Sequence, residues 1–226
     1  MTTSAALFVT SPTSSELLGL GLAQLGLALD TGEQLDLLRY VALLEKWNKF
    51  YNLTAIRDPA RMIGLHILDS LSVLPSINAC GSILDVGTGG GLPGIPLAIV
   101  FSKLAPAVQI TMIDTIAKKT AFVRQMISEL GLTNAAVVTE RVERYRPNQV
   151  FDVVISRAFA ELKDFIESAG HLCAADGRML AMKGVHPFDE ITRLPANFEV
   201  EEVISLRVPQ VDGQRHLVVI KKTQVK

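Results

Sequence analysis

Residues 83–94, ILDVGTGGGLPG, place an acidic residue and a glycine-rich turn directly after a short apolar run. Glycine tolerates positive φ and lets the backbone approach a bound molecule closely. A dinucleotide fingerprint, G-x-G-x-x-G, would need a glycine where Leu92 stands, and the carboxylate of Asp85 would repel a pyrophosphate. The acid could instead receive the ammonium group of a ligand, directly or through water. We therefore predict a ligand site here, with a purely structural turn as the alternative.

A second acidic residue, Asp114, ends the next apolar run, QITMID. Its carboxylate could accept hydrogen bonds from both ribose hydroxyls of a nucleoside, or cap a helix that begins near Ala117, and the two roles are compatible. The following polar turn, TERVERY, could flank an adenine or be a solvated charge run. The acid-x-G-x-G-x-G pattern resembles motif I of the S-adenosylmethionine-dependent methyltransferases, and this resemblance implies S-adenosyl-L-methionine as the cofactor.

The segment that follows the apolar run FDVVI indicates which acceptor is methylated. It reads SRAFA, residues 156–160, with neither the Pro-Pro motif of many amine methyltransferases nor a nucleophilic cysteine. Guanine N7 carries a lone pair and no proton, so transfer to it needs alignment and exclusion of water but no general base. Arg157 could grip guanine O6 or a phosphate.

Several further segments occur in a fixed order along the chain: WNKFYNLTAIRDP, HILDSL, DVGTGGGLPGIPLAI, RVE, ISRAFA, MKG and DGQRHLVVIKK. Over residues 16–222 they closely resemble the bacterial small-subunit ribosomal RNA guanine-N7 methyltransferase family (RsmG, also called GidB). The resemblance implies methylation of one guanosine in the decoding-region loop of 16S rRNA. This sequence departs from the family pattern at Leu65, where the family commonly has a basic residue.

The resemblance also implies roles for individual residues. Matching by motif assigns cofactor contacts to Gly87, Leu92, Val142, Glu143 and Arg157, and the physical argument above adds Asp85, Gly89 and Asp114. Three basic residues match signature positions of the family: Arg141, Lys183 and Arg215. They are expected to contact RNA or guanine, and surface ion pairs are the alternative role. Positioning of the guanine is assigned to Arg157, Arg141 and Lys183.

Composition limits the form of the substrate. The 226 residues carry 22 basic and 23 acidic side chains, a net charge of −1, which weighs against indiscriminate binding of nucleic acid. Local patches would have to supply the contacts, and candidates are Lys118, Lys119 and Arg124 on one predicted helix and Arg141, Arg144 and Arg146 after the third strand. We therefore expect assembled or partly assembled small ribosomal subunits as substrate.

The cysteines and the lengths of the apolar runs indicate the cellular compartment that the sequence predicts. The two cysteines, Cys80 and Cys173, have no disulfide or zinc spacing, so no metal site is expected and a reducing cytoplasm fits. The N-terminus lacks a basic leader, and no apolar run approaches the roughly 20 residues that cross a bilayer. The expectation is a soluble, cytoplasmic monomer without membrane contact.

The elements that must position these residues follow from periodicity. Residues 1–15 are expected to form a flexible tail, residues 16–80 a helical cap, and residues 81–226 a cofactor-binding core that makes one unit with the cap. Apolar runs alternate with helical patterns after residue 81, which predicts an α/β, doubly wound, mostly parallel sheet. With the resemblance, this is a seven-stranded, Rossmann-like class I methyltransferase sheet that ends in an antiparallel hairpin around Asp212-Gly213.

Two sets of residues have open interpretations. His66 and Asp69 share a helix face and could be an acid–base pair or a structural hydrogen-bonded pair. Trp47, Phe50 and Tyr51 could stack a base, but aromatic residues at helical spacing are more often core, which we prefer for Trp47. Two other functions are weighed: a nicotinamide- or flavin-dependent oxidoreductase, and a non-catalytic assembly factor with a vestigial pocket.

Overall fold

A computed structural model of the protein describes residues 12–77 and 80–223. The helices are α1 (Ser14–Leu25), α2 (Thr31–Tyr51), α3 (Pro59–Met62), a π-helical segment (Ile63–Leu68), α4 (Asp69–Leu71), α5 (Gly94–Leu104), α6 (Ala117–Glu129), α7 (Leu162–Ala169) and α8 (Phe188–Ile191), with 3₁₀ turns at Leu74–Ser76, Val142–Arg144 and Gly170–Leu172. The strands are β1 (Ser82–Val86), β2 (Gln109–Asp114), β3 (Ala135–Thr139), β4 (Phe151–Ser156), β5 (Cys173–Lys183), β6 (Phe198–Ser205) and β7 (His216–Lys222).

The seven strands form one sheet in the order β3-β2-β1-β4-β5-β7-β6. Strands β1 to β5 pair in parallel, whereas β7 is antiparallel to both β5 and β6. This topology confirms the predicted mostly parallel sheet with an antiparallel C-terminal pair. Because the first four strands are parallel, their carboxyl ends meet at one edge, where Val86 is in register with Ile113 and Asp114 with Thr139.

Both faces of the sheet are covered, because successive side chains of a strand point to opposite faces. Ile83 belongs to the core shared with the N-terminal helices, α5 and α6, whereas Leu84 belongs to the core beneath α7. This double coverage is what the apolar runs predict, and it leaves polar chemistry to the strand ends.

The N-terminal helices pack against the first of these cores. Helix α1 begins at Ser14, two residues before the predicted boundary, and is capped by Thr13; residues 1–11 of the predicted tail lie outside the described residues. Helix α2 is capped by Asp30, which forms a reciprocal capping box with Glu33. None of the described helices is long and apolar enough to cross a membrane.

The connection between β6 and β7 is longer than the predicted hairpin turn. Residues 206–215 form a loop that contains Asp212-Gly213, and Gly213 has a φ of +102°. Within this loop the side-chain amide of Gln210 donates to the carbonyl of Leu17 at 2.6 Å. A Cβ on Gly64 would lie 3.0 Å from the carbonyl oxygen of Gln210, so the loop packs closely on the π-helical segment. The C-terminal pair thereby contacts the helical cap.

Candidate active site

The glycine turn after β1 adopts a backbone that favours glycine. The φ angle is +70° at Gly87, +58° at Gly89 and +93° at Gly91. A Cβ on Gly87 would lie 2.6 Å from the Cβ of Ala158, whereas a Cβ on Gly89 would meet nothing nearer than 3.9 Å. Gly87 is therefore required by close packing against the turn after β4, and Gly89 borders open space.

The carboxylate of Asp85 lies under this turn and is fully buried. Its Oδ2 atom accepts hydrogen bonds from Thr88 Oγ1 at 2.6 Å and from the Gly94 amide at 2.9 Å. Its Oδ1 atom is buried and has no hydrogen-bond partner among the described residues. Burial raises the pKa of Asp85 to about 6, against the two hydrogen bonds and the nearby Arg157, which lower it. A buried carboxylate oxygen without a partner is a strong acceptor for a cationic donor.

Asp114 lies at the end of β2 and organises the same turn. Its Oδ2 atom accepts from the Gly89 amide at 3.0 Å, and its Oδ1 atom accepts from the Ile116 amide at 2.9 Å. Asp114 thus holds the turn before α6, whereas the cap residue of that helix is Ile116. Each carboxylate oxygen has a second lone pair, so both can still accept a ribose hydroxyl.

The turn after β3 lies beside Asp114. The amide of Glu140 donates to the carbonyl of Asp114 at 3.2 Å, which ties the ends of β2 and β3 together. Val142 is buried, whereas Arg141 and Glu143 are exposed. On the other side of the turn, Leu92 is buried and its amide donates to the Thr88 carbonyl. The predicted cofactor residues other than Arg157 are therefore gathered around one edge of β1, β2 and β3.

A second feature, the polar cleft, opens beside Arg157 at the ends of β4 and β5. It has a volume of about 380 Å³. Arg157 donates to Asp69 Oδ2 at 2.7 Å and to the Leu65 carbonyl at 3.3 Å, and the Nε of Arg215 donates to Asp69 Oδ1 at 3.2 Å. Asp69 is buried, so one carboxylate holds two guanidinium groups at the cleft. The lining is Ile56, Leu65, His66, Asp69, Arg157, Met182, Lys183, Gly184, Leu206, Arg215 and His216.

His66 and Asp69 line this cleft but do not form the predicted pair. Asp69 bonds to the two arginines, and His66 Nε2 lies 2.8 Å from Thr54 Oγ1 while its Nδ1 lies 3.0 Å from the Leu65 carbonyl. Burial, with Arg157 nearby, lowers the pKa of His66 to about 4. The neutral imidazole therefore donates from Nδ1 to the carbonyl and accepts at Nε2 from the Thr54 hydroxyl, which is a structural arrangement.

The signature cations do not come together as one group. Lys183 and Arg215 line the polar cleft, but Arg141 follows β3, at the opposite edge of the sheet from β7. The Nζ atom of Lys183 contacts the Ala160 carbonyl and lies 2.8 Å from Glu190 Oε2, in an ion pair whose lysine side chain is 9% exposed. Lys183 therefore fixes the SRAFA segment to α8, and a direct contact of Nζ with RNA would require this pair to open.

The other basic side chains are spread over the surface. Lys118 and Arg124 are exposed on α6, but six residues correspond to about one and two-thirds turns, so they point to different sides of the helix. The Nζ atom of Lys119 lies 4.0 Å from Asp114 Oδ2. Arg141, Arg144 and Arg146 are exposed after β3. The α6 cations are thus not the single patch that we expected.

Three residues that support the site were not predicted. Thr88 donates to Asp85, and Ser156 Oγ donates to the Val86 carbonyl at 2.7 Å and accepts from the Ala158 amide at 3.0 Å. The hydroxyl of the buried Tyr40 donates to the Gly90 carbonyl at 2.6 Å. Thr88 and Ser156 lie within motifs that the sequence had singled out, whereas no local pattern indicates that Tyr40 in α2 reaches the glycine turn.

Comparison with known proteins identifies the family. A family model described as GidB, rRNA small subunit methyltransferase G, matches residues 33–218. The chain is 52% identical over 202 residues to the ribosomal RNA small subunit methyltransferase G of Aromatoleum aromaticum, which covers 89% of this chain and 96% of that relative. It is 50% identical over 203 residues to the protein of the same name from Pseudomonas aeruginosa, with 90% and 93% covered.

Solved structures agree in fold. The O-methyltransferase TomG from Streptomyces achromogenes, determined in complex with S-adenosylmethionine, matches with a TM-score of 0.59 and 15% identity over 91% of this chain and 96% of that one. The N-methyltransferase NodS from Bradyrhizobium japonicum, in complex with S-adenosyl-L-homocysteine, matches with a TM-score of 0.54 and 16% identity over 82% and 99%. These likenesses confirm the class I methyltransferase fold, and the sequence matches show that the chain belongs to the GidB family, described as rRNA small subunit methyltransferase G.

Proposed function

We propose that the chain transfers a methyl group from S-adenosyl-L-methionine to N7 of one guanosine in the decoding-region loop of 16S rRNA. Membership of the rRNA small subunit methyltransferase G family supports an rRNA substrate and methyl transfer. The single observation that carries the choice of methyl donor is the buried Oδ1 atom of Asp85, which lacks a partner among the described residues beside an open glycine turn. The choice of guanine N7 and of the decoding-region loop follows from the family resemblance of the SRAFA segment and the other motifs.

The residues around the turn fit S-adenosylmethionine. Asp85 Oδ1 would accept from the ammonium group, and the free lone pairs of Asp114 would accept from the ribose hydroxyls. Val142 would pack against the adenine and Glu143 would flank it, while Gly89 leaves room for the nucleoside. When bound, the cofactor supplies an electrophilic methyl group on a sulfonium.

The polar cleft suits a guanine whose N7 is the nucleophile. Arg157 and Arg215 are held by Asp69, so their remaining N–H groups are oriented before the base arrives and can donate to guanine O6 or to a phosphate. His66 is neutral and already bonded to Thr54, which agrees with a reaction that needs no general base. Leu65 and Met182 are apolar walls that exclude water.

We infer that the substrate is the assembled or partly assembled small subunit, in the cytoplasm, and that the enzyme acts as a monomer. The net charge of −1 and the separation of Lys118 from Arg124 give naked RNA few phosphate contacts, whereas a folded particle adds contact area. Contacts with RNA are assigned to the exposed Arg141 and to Arg215, and Lys118, Lys119 and Arg124 on α6 are assigned to electrostatic attraction of phosphates at longer range.

Two other functions are less well supported. An oxidoreductase would place a pyrophosphate against the buried carboxylate of Asp85, which repels it, and Leu92 replaces the third fingerprint glycine. A non-catalytic assembly factor would not need the unpartnered Asp85 or the preoriented Arg157.

The test is a transfer assay with purified protein, methyl-labelled S-adenosylmethionine and small subunits that lack the modification. We expect label in 7-methylguanosine after digestion of the rRNA. A short loop RNA labelled as efficiently as the subunits would refute the substrate proposal, and the absence of label in both would refute the activity. Thermal stabilisation by NADH but not by S-adenosylmethionine would favour the oxidoreductase.

A further inference from the structure

The C-terminal end of α2 carries an exposed aromatic surface that the site described above does not use. Lys46, Trp47, Phe50 and Tyr51, here called the aromatic patch, line a shallow hollow of about 320 Å³. Phe50 is 78% exposed and Tyr51 is 39% exposed. An aromatic ring as exposed as Phe50 makes little contribution to the core, so this side chain is available to an incoming molecule.

The aromatic patch packs against helix α6 through Trp47. The ring of Trp47 stacks on Tyr51, with centroids 5.3 Å apart and planes at 25°, and packs on Phe122 of α6 at 5.8 Å. The preference for Trp47 as a core residue therefore agrees with its packing on α6. The contact of Trp47 with Tyr51 also supports the exposed aromatic rings of the patch.

The charges around the aromatic patch favour a nucleotide as its occupant. Lys46 and Lys49 are exposed on neighbouring turns of α2, and the ion pair of Lys49 within the described part of the chain is a surface pair with Glu45 at 3.3 Å. Such a pair contributes little and can be exchanged for a phosphate. Aromatic faces interleaved with cations are the arrangement that binds single-stranded nucleic acid, since each base offers a π-face and each phosphate a negative charge.

The position of the aromatic patch places it near the reaction. The chain leaves Tyr51 through residues 52–56, in which Leu53 packs near Gly90 of the glycine turn and Ile56 lines the polar cleft. Five residues span at most about 18 Å when fully extended. A base on the aromatic patch would therefore belong to a nucleotide only a few positions from one in the cleft.

We propose that the aromatic patch stacks an unpaired rRNA base close to the methylated guanosine and so holds the substrate loop over the polar cleft. This inference rests on the proposed rRNA substrate and adds a second contact point to it. Stacking requires a base without a pairing partner, so the patch selects single-stranded loop over duplex.

The first test compares variants in the transfer assay with small subunits. Phe50→Ala is expected to raise KM for subunits about tenfold, since stacking of one base contributes on the order of 1–3 kcal/mol, with kcat unchanged because the cleft is intact. Phe50→Tyr should restore most of the loss. Leu104→Ala, a matched loss of a 70% exposed apolar side chain elsewhere, should be silent. Equal KM for Phe50→Ala and the unaltered protein would overturn the inference while leaving the activity established.

The second test does not depend on activity. Trp47 is the only tryptophan, so its fluorescence reports on the aromatic patch. Because naked RNA is expected to bind weakly, the RNA is titrated at low salt and up to high concentration in the presence of saturating S-adenosylhomocysteine. A single-stranded oligoribonucleotide of the loop sequence should then quench Trp47, a duplex of the same sequence should quench it far less, and Phe50→Ala should weaken the single-strand titration. Equal quenching by duplex, or none by either RNA, overturns the inference. A raised KM for subunits in Phe50→Ala, without quenching of Trp47 by either RNA in the same titration, would instead identify a ribosomal protein as the occupant, which also overturns the inference.

Discussion

The replacement Asp69→Asn tests the arrangement of the polar cleft most sharply. The buried carboxylate of Asp69 accepts from Arg157 at 2.7 Å and from Arg215 at 3.2 Å. Asparagine keeps the shape but offers one oxygen and turns an N–H₂ group toward a guanidinium, so at least one charge-assisted hydrogen bond is lost and two cations face each other without an anion.

The magnitude follows from burial. Breaking a fully buried pair costs about 3–5 kcal/mol, but the two arginine side chains are 23% and 26% exposed and water partly screens them. We therefore expect a loss of about 3 kcal/mol in the free energy of unfolding. For a chain of this size that lowers Tm by about 6–12 °C. Misplacement of the guanidiniums should also reduce kcat/KM on small subunits by about tenfold or more.

The assay combines thermal unfolding with transfer kinetics in a double-mutant cycle. Asp69→Asn and Arg215→Gln should be non-additive in Tm and in kcat/KM, with a coupling of about 1–2 kcal/mol, because they remove the same contact. Asp212→Asn, the same chemical change at an exposed position of the 206–215 loop, is the matched control and should change neither quantity. Additive effects, or a Tm for Asp69→Asn within about 1 °C of the unaltered protein, would refute the shared-carboxylate arrangement.

The remaining predictions concern the glycine turn and the Lys183 pair. Burial raises the pKa of Asp85 in the folded protein from 3.8 to about 6, so the unliganded protein should lose stability as pH rises between about 4 and 6. The affinity for S-adenosylmethionine should increase over the same range, because the ammonium group binds the carboxylate. Asp85→Asn should remove the stability trend in thermal shift and the affinity trend in calorimetry. Gly89→Ala should fold, since a Cβ meets nothing nearer than 3.9 Å, although the φ of +58° costs about 1–2 kcal/mol. The methyl group would occupy the open space beside the glycine turn in which we place the cofactor, so calorimetry should show at least tenfold weaker cofactor binding. Lys183→Met should lower Tm by several degrees, because Glu190 loses its cationic partner and keeps only the Leu162 amide at the start of α7 as a hydrogen-bond donor among the described residues. Unchanged Tm with a raised KM for subunits would instead indicate direct RNA contact.

The sequence was sufficient to predict the fold and the strand-end acids. Asp85 and Asp114 follow apolar runs that are buried on both faces, and parallel strands bring such residues to one edge. The positions of these acids can be predicted from the sequence because each position depends only on the strand that the acid ends.

The polar cleft could not be predicted in the same way. Asp69, Arg157 and Arg215 come from a helix, a strand end and a loop that lie far apart along the chain. Tertiary packing joins them: Arg157 reaches Asp69 from the end of β4, and the packing of the 206–215 loop on the π-helical segment brings in Arg215. His66 and Asp69 lie three residues apart on helical turns, but His66 bonds to Thr54 and Asp69 bonds to the two arginines.

The most direct measurement of the central claim is a map of 7-methylguanosine in 16S rRNA from cells of the source organism that lack this chain. We expect one modified guanosine in the decoding-region loop to disappear from these cells and to return when the chain is restored, and we expect Gly89→Ala at equal abundance to restore only part of it. An unchanged modification pattern in the cells without the chain would contradict the proposed activity, and full restoration by Gly89→Ala would contradict the placement of the cofactor at the glycine turn.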